Sequence, residues 1–160
     1  MQNLYKWNVG SAVPRMVVLI RVMVGAVFVS EGIQKFLFPA ARGVGRFVKI
    51  GLPAPEFLAY FVAVFEIVCG ILILAGWLTR LAAIPMIINM LVAIGSTKIP
   101  ILLQSGFWQM AHEARTDFSM LLGAVFLLLT GSGDWSLDRW FSRRKAGLPA
   151  DQGSGNEIRT

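Results

Sequence analysis

Residues 57–77 read FLAYFVAVFEIVCGILILAGW, an apolar run that is long enough to cross a bilayer as a helix. Its only charged residue is Glu66, which falls in the middle of the run. A charged side chain at that depth costs about 3 kcal/mol or more unless it is neutralised or paired. The run therefore predicts an integral membrane protein in which Glu66 faces a protein interior rather than lipid.

The composition agrees with a single membrane domain. The chain has 160 residues, of which 56% are hydrophobic, and a mean hydropathy of +0.64, so it is too apolar for an ordinary soluble domain. The 15 Lys and Arg residues outnumber the 9 Asp and Glu residues, and they lie mainly between and beyond the apolar runs. Basic residues in those places anchor a protein to anionic lipid. We therefore expect a lipid bilayer, and not nucleic acid, as the partner of these charges.

The chain contains one cysteine, Cys69, and one histidine, His112. These counts exclude an intrachain disulfide, a CxxC redox centre, a Cys-ligated iron–sulfur cluster, a four-Cys zinc site and two-His haem ligation. We therefore expect no metal site and no intrinsic cofactor. The chain alone is not expected to be catalytic.

Four apolar segments predict four membrane-spanning helices. Arg21 interrupts the first segment and no A-x-A-like cleavage site follows it, so we expect a retained helix and not a removed signal peptide. Pro100 and Gly106 interrupt residues 99–108, which we expect to form a re-entrant or surface connection. The predicted spans cover residues 14–38, 57–77, 81–95 and 112–130.

Between Ala40 and Pro55 the sequence ARGVGRFVKIGLPAP places basic residues at helical spacing against apolar ones, which favours a short amphipathic helix at the membrane interface. The predicted fold is thus an all-α integral membrane four-helix bundle with a short amphipathic interfacial helix between spans 1 and 2. Residues 1–141 form the membrane domain, and residues 142–160 a disordered polar tail. A narrow excess of basic residues on the side of the termini favours cytoplasmic termini.

Arg21 and Glu66 are the two charges placed deepest in the predicted spans. Counted from the predicted helix ends, they lie about 21 Å and about 15 Å deep, which a long Arg side chain could bridge. The first interpretation is a buried ion pair that tethers spans 1 and 2. The alternative makes Glu66 a proton acceptor or a partner of a quinone headgroup, because a low dielectric disfavours the carboxylate.

A second group of charges is expected to gather at the end opposite the termini, and it comprises Glu31, Lys35, His112, Glu113, Arg115 and Asp117. His112 and Arg115 lie one helical turn apart, as do Glu113 and Asp117, so this group either binds a polar ligand or relays protons, or it is a solvated helix end. Asn89 is expected to hydrogen-bond across helices. The candidate residues for a ligand or proton pocket are Arg21, Glu31, Lys35, Glu66, Asn89, His112, Glu113, Arg115 and Asp117.

Several short motifs together resemble the DoxX family of integral membrane proteins, over roughly residues 15–138. The first span carries an Arg and a Gly before a polar helix end, and a G-L-P-x-P turn follows it. The second span contains E-x-x-x-G and is followed by G-x-x-T-R-x-A-A. The fourth span has an acid before its apolar run and is followed by G-x-G-x-x-S-L-D. The matching residues are Arg21, Gly25, Glu31, Gly32, Lys35, 51–55, Glu66, Gly70, 76–83, Asp117 and 131–138.

The family resemblance implies a multi-pass protein of a bacterial-type cytoplasmic (inner) membrane. The family takes its name from a small subunit associated with a thiosulfate:quinone oxidoreductase, and related members are linked to membrane oxidoreductase assemblies that handle thiol or oxidative stress. We therefore expect an accessory subunit with a polar pocket for a quinone or small ligand, while a partner oxidoreductase supplies the electrons. Assembly into a homo-oligomer is a further possibility. The alternative is a small transporter or a membrane scaffold without a redox role.

Overall fold

The computed structural model describes residues 13–145, and this part of the chain is helical without any strand. The all-α prediction is confirmed. Three helices, which include residues 15–37, 55–75 and 79–105, are long and apolar enough to cross a membrane. The elements in chain order are α1 (Val13–Leu37), α2 (Val44–Lys49), α3 (Pro55–Ala75), α4 (Thr79–Ser105), α5 (Phe107–Thr130) and α6 (Leu137–Lys145).

The four long helices form two closely packed antiparallel pairs, α1 with α3 and α4 with α5. The two pairs contact each other less extensively, through α3 with α4 and α1 with α5. Their shared apolar core includes Phe28, Ile73, Met86 and Leu127, all fully buried. Contact is closest within each pair, so the boundary between the pairs is where space for a ligand can remain.

Glycines bring α1 and α3 into backbone contact. A Cβ atom added to Gly25 would lie 2.8 Å from the carbonyl oxygen of Gly70, and one added to Gly32 would lie 2.7 Å from that of Ala63. These contacts set the register of the pair. Helical spacing puts five residues on one face of α1 and predicts that this face is turned toward protein, and all five are buried: Arg21, Gly25, Phe28, Gly32 and Lys35.

The prediction of an irregular connection over residues 99–108 is wrong. Helix α4 continues through Pro100 to Ser105. It ends before Gly106, whose φ is 84°. Pro100 removes only the hydrogen bond to the carbonyl of Ser96, which a long packed helix tolerates. The glycine, by contrast, adopts a left-handed φ that allows the sharp reversal into α5.

The two short helices lie at opposite ends of the pairs. Helix α2 spans six residues within the predicted interfacial segment and buries Phe47. Helix α6 includes residues 142–145, so the first four residues of the predicted disordered tail are helical. The remainder of that tail, residues 146–160, lies outside the described residues, as do residues 1–12.

Candidate functional site

A cavity of about 710 Å³ lies between the two helix pairs, at the end where α2 joins α1 to α3 and Gly106 joins α4 to α5. Its volume is within the range of about 300–1,000 Å³ typical of small-molecule sites. Much of the wall is apolar, with Phe28, Phe65, Met86 and Met120 among its side chains. The charged and amide side chains that line it are Glu31, Lys35, Arg42, Arg46, Glu66, Asn89, Lys98, Glu113 and Asp117.

The deepest polar group in the cavity joins three helices. Lys35 Nζ on α1 lies 2.5 Å from Glu66 Oε2 on α3, and Asn89 Nδ2 on α4 donates to Glu66 Oε1 at 2.7 Å. Side chains on a helix lean toward its N-terminus, so the long stem of Lys35 reaches back along α1 into the bundle. Both oxygens of Glu66 are thus engaged, and the predicted interhelical role of Asn89 is present.

The predicted ion pair between Arg21 and Glu66 is wrong, because the register of α1 and α3 differs from the one assumed. The prediction treated Lys35 and Glu56 as equivalent helix ends. The glycine contacts instead place Gly32 opposite Ala63, so Glu66 lies beside the C-terminal part of α1. At ~1.5 Å per residue, that position is about 16 Å along α1 from Arg21.

Arg21 caps the opposite end of the bundle, outside the cavity. Its guanidinium donates to the carbonyl oxygens of Ile73 at 2.8 Å and Leu74 at 2.5 Å, in the last turn of α3. It also donates to those of Ser132 at 3.0 Å and Trp135 at 2.5 Å, after α5. Carbonyls at a helix C-terminus lack intrahelical donors, so Arg21 supplies donors at this end of α3, where the Ile73 carbonyl also accepts from the Gly76 N–H.

Lys98 is a cavity residue that sequence reasoning missed. It is 8% exposed, and its Nζ lies 3.1 Å from Asp117 Oδ2 across the α4–α5 pair. Lys98 lies outside the predicted third span, residues 81–95, because Pro100 favoured an early end of that helix. Because α4 continues past Lys98, this lysine is a charge inside a helix long and apolar enough to cross a membrane. A charge in such a helix indicates a functional site.

The remaining predicted site residues separate into two groups. Glu113 and Asp117 line the cavity, as does Glu31, whose Oε1 lies 3.7 Å from Arg42 Nη1. His112 and Arg115 contact each other on the exposed surface of α5 and are not among the lining residues. The predicted cluster on α5 is therefore divided between the cavity wall and the outer face.

Within residues 13–145, no group of three His, Cys, Asp or Glu side chains is placed to hold a metal ion. Cys69 is buried on α3, outside the cavity lining. The chemistry that this arrangement offers is hydrogen bonding by Lys35, Glu66 and Asn89, together with proton exchange by the two ionisable groups, Lys35 and Glu66.

Comparison with known proteins places this arrangement in context. The DoxX family model matches residues 16–99, a segment that contains Lys35, Glu66 and Asn89. The "Uncharacterized membrane protein Rv3486" of Mycobacterium tuberculosis (strain ATCC 25618 / H37Rv) is 55% identical over 137 residues, which cover 82% of this chain and 84% of that protein. The "Putative oxidoreductase CatD" of Bacillus subtilis (strain 168) is 33% identical over 128 residues, which cover 79% of this chain and 87% of that protein. No solved structure matches the chain.

Proposed function

The chain belongs to the DoxX family of membrane proteins, and from that premise we propose that it is an accessory subunit of a membrane oxidoreductase system that binds a quinone. The observation that carries the proposal is the buried group of Lys35, Glu66 and Asn89 at the inner end of a cavity of about 710 Å³. The name of the Bacillus subtilis relative supports the redox role.

The three polar side chains suit the two states of a quinone headgroup. Lys35 has three N–H donors, of which Glu66 accepts one, so the others can donate to a quinone carbonyl oxygen. The carboxylate of Glu66 can accept a hydrogen bond, and then a proton, from the O–H of a quinol. Reduction of a quinone takes up two electrons and two protons. The partner would supply the electrons, while this chain holds the headgroup and exchanges protons.

The membrane arrangement that goes with this function has four crossings. The fourth is α5, because its 24 residues rise about 36 Å and it packs along α4. Arg46 and Lys49 give α2 a basic face that suits the membrane interface, and Arg42 lies just before this helix. The host is a bacterial-type inner membrane with cytoplasmic termini, following the narrow excess of basic residues on that side.

Translocation is the alternative that the cavity supports less. A transporter would need a polar path from Arg21 past Glu66 to Asp117. Between Arg21 and the cavity, the described interior is filled by Val24, Phe28 and Ile73, each at most 1% exposed. A site that ends at Glu66 suits a bound ligand better than a passage. A scaffold role would give no reason for the cavity to be lined with paired charges.

The test is purification of the full chain in a mild detergent, followed by mass spectrometry of the quinones and proteins that remain bound. Wild type should retain a quinone, and Asn89→Leu should lose it because the variant removes an amide from the headgroup site. Cys69→Ala is the matched control, since it alters a buried residue of the neighbouring helix outside the cavity. A folded wild-type protein that carries neither a quinone nor an oxidoreductase would contradict the proposal.

A further inference from the structure

We propose that the bound quinone extends its isoprenoid tail sideways between α3 and α4, so that the ligand enters from the lipid. This inference rests on the proposed quinone site. It starts from four apolar residues of α3 and α4 that line the cavity and are also exposed. They are Phe61 (46%) and Phe65 (41%) on α3, and Ile88 (57%) and Val92 (50%) on α4. We call them the lateral opening.

The lateral opening lies at the level of the polar group. The hydrogen bond from Asn89 to Glu66 fixes the relative positions of α3 and α4. Phe65 directly precedes Glu66, and Ile88 directly precedes Asn89. Phe61 and Val92 lie one turn further toward α2 on their helices. The rings of Phe61 and Phe65 are 4.6 Å apart, so they form a continuous apolar surface along this side of the gap.

The opposite edge of the cavity is polar. Arg42, Arg46 and Glu113 are exposed and also line the cavity, so this edge faces water or headgroups while the lateral opening faces acyl chains. An occupant that fits both must carry a polar head and an apolar tail. Only the apolar side can hold the tail without burying it against charges.

The charges of the wall select an uncharged head. The lining cations are Lys35, Arg42, Arg46 and Lys98, and the lining acids are Glu31, Glu66, Glu113 and Asp117, which gives four of each. The two most buried cations are each paired with an acid, at 2.5 Å for Lys35–Glu66 and 3.1 Å for Lys98–Asp117. A phosphate would meet no net positive charge here. A neutral quinone head needs none.

The experiment places a bulky side chain in the lateral opening and compares a tailed with a tail-less ligand. Full-length Val92→Trp is reconstituted in phosphatidylethanolamine and phosphatidylglycerol nanodiscs. Ubiquinone-10 and ubiquinone-0 are titrated while thermal unfolding is followed, because a ligand that binds the folded state raises the unfolding temperature by an amount set by the ratio of its free concentration to its Kd. Leu91→Trp is the matched control, since Leu91 is 54% exposed on the same helix but does not line the cavity.

Val92→Trp should weaken ubiquinone-10 about tenfold, the effect of displacing roughly two buried CH₂ groups, and leave ubiquinone-0 within about twofold. Leu91→Trp should leave both affinities unchanged. If Val92→Trp does not fold, Ile88→Trp against the exposed control Ile84→Trp repeats the comparison.

Unchanged binding of ubiquinone-10 by a folded Val92→Trp would contradict the placement of the tail in the lateral opening. It would not contradict the quinone site itself. Equal loss of both ligands would also contradict that placement of the tail, because Val92 would then border the headgroup. Failure of wild type to bind either ligand would instead refute the proposed function itself.

Discussion

The ammonium group of Lys35 and the carboxylate of Glu66 form an ion pair between α1 and α3, with 2.5 Å between Nζ and Oε2. The two side chains are 10% and 3% exposed, so both charges depend on each other rather than on water. Asn89 adds α4 to the same group through its hydrogen bond to Glu66. One carboxylate thus joins three helices and forms the inner end of the cavity.

Removing one partner of this pair should destabilise the protein more than removing both. Lys35→Met leaves a buried, unpaired carboxylate and should lower the free energy of unfolding by about 3 kcal/mol. The double variant Lys35→Met, Glu66→Gln carries no uncompensated charge and should recover most of that loss. Reversible unfolding in mixed detergent micelles measures all three proteins. Equal losses in the single and double variants would show that the ion pair is not what makes the single substitution harmful.

The close contact of α1 and α3 should make Gly70→Ala destabilising. A Cβ atom at position 70 would lie 2.7 Å from the side chain of Val29 and 3.0 Å from the carbonyl oxygen of Gly25. Separating the helices should cost about 1–3 kcal/mol, measured by the same unfolding assay. Gly95→Ala is the control, because nothing lies within 4 Å of that position on α4. There, alanine should be neutral or stabilising by up to about 1 kcal/mol, and a loss as large as that of Gly70→Ala would argue against the contact.

Arg21 should be required for stability and not for ligand binding. Arg21→Met removes the guanidinium donor from the part-buried carbonyls of Leu74 on α3 and of Ser132 after α5, and should lower the unfolding free energy by about 3 kcal/mol. Arg15→Met, an exposed change on the same helix, should stay within about 0.5 kcal/mol of wild type. Quinone affinity measured below the unfolding temperature should match wild type in both variants. A selective loss of affinity in Arg21→Met would instead link Arg21 to the cavity.

Ala54 offers a stabilising substitution. It precedes α3 with φ of 45°, a left-handed conformation that disfavours any residue with a Cβ atom. Ala54→Gly should raise the unfolding free energy by about 1 kcal/mol, which a thermal denaturation curve can detect. The same chemical change at the exposed helical position Ala26 should have the opposite sign, with a loss of about 1 kcal/mol. If both glycine substitutions lower the free energy of unfolding, the conformation at Ala54 carries no strain.

The sequence was sufficient to predict an all-α fold and the burial of Glu66, because apolar length and helical periodicity are local properties. It also predicted that Arg21 and Lys35 face protein. It could not predict which acid meets which base. That choice depends on the register of α1 and α3, which Gly25, Gly32 and Gly70 set through backbone contacts that residue counting from helix ends does not capture.

Prediction of the cavity residues was limited in the same way, because it also depended on how the helices pack. Glu31, Lys35, Glu113 and Asp117 were expected to gather at one end of the bundle, and they line the cavity there, but Glu66 and Asn89 were not assigned to that end and Lys98 was not included. Its role became visible only once α4 was seen to continue beyond Pro100. His112 and Arg115 share a helix with two cavity residues, yet the rotation of α5 about its axis turns them outward.

The carbonyl partners of Arg21 also bear on how the chain is made. Two of them, Ile73 and Leu74, are synthesised 52 and 53 residues later, and the other two, Ser132 and Trp135, 111 and 114 residues later. During translation, the first helix therefore enters the insertion machinery with a guanidinium whose last acceptors do not yet exist. A nascent polypeptide that stops short of residue 132 lacks two of the four acceptors of this charge, so the compensation of Arg21 is completed only when the end of α5 and the segment after it have been made.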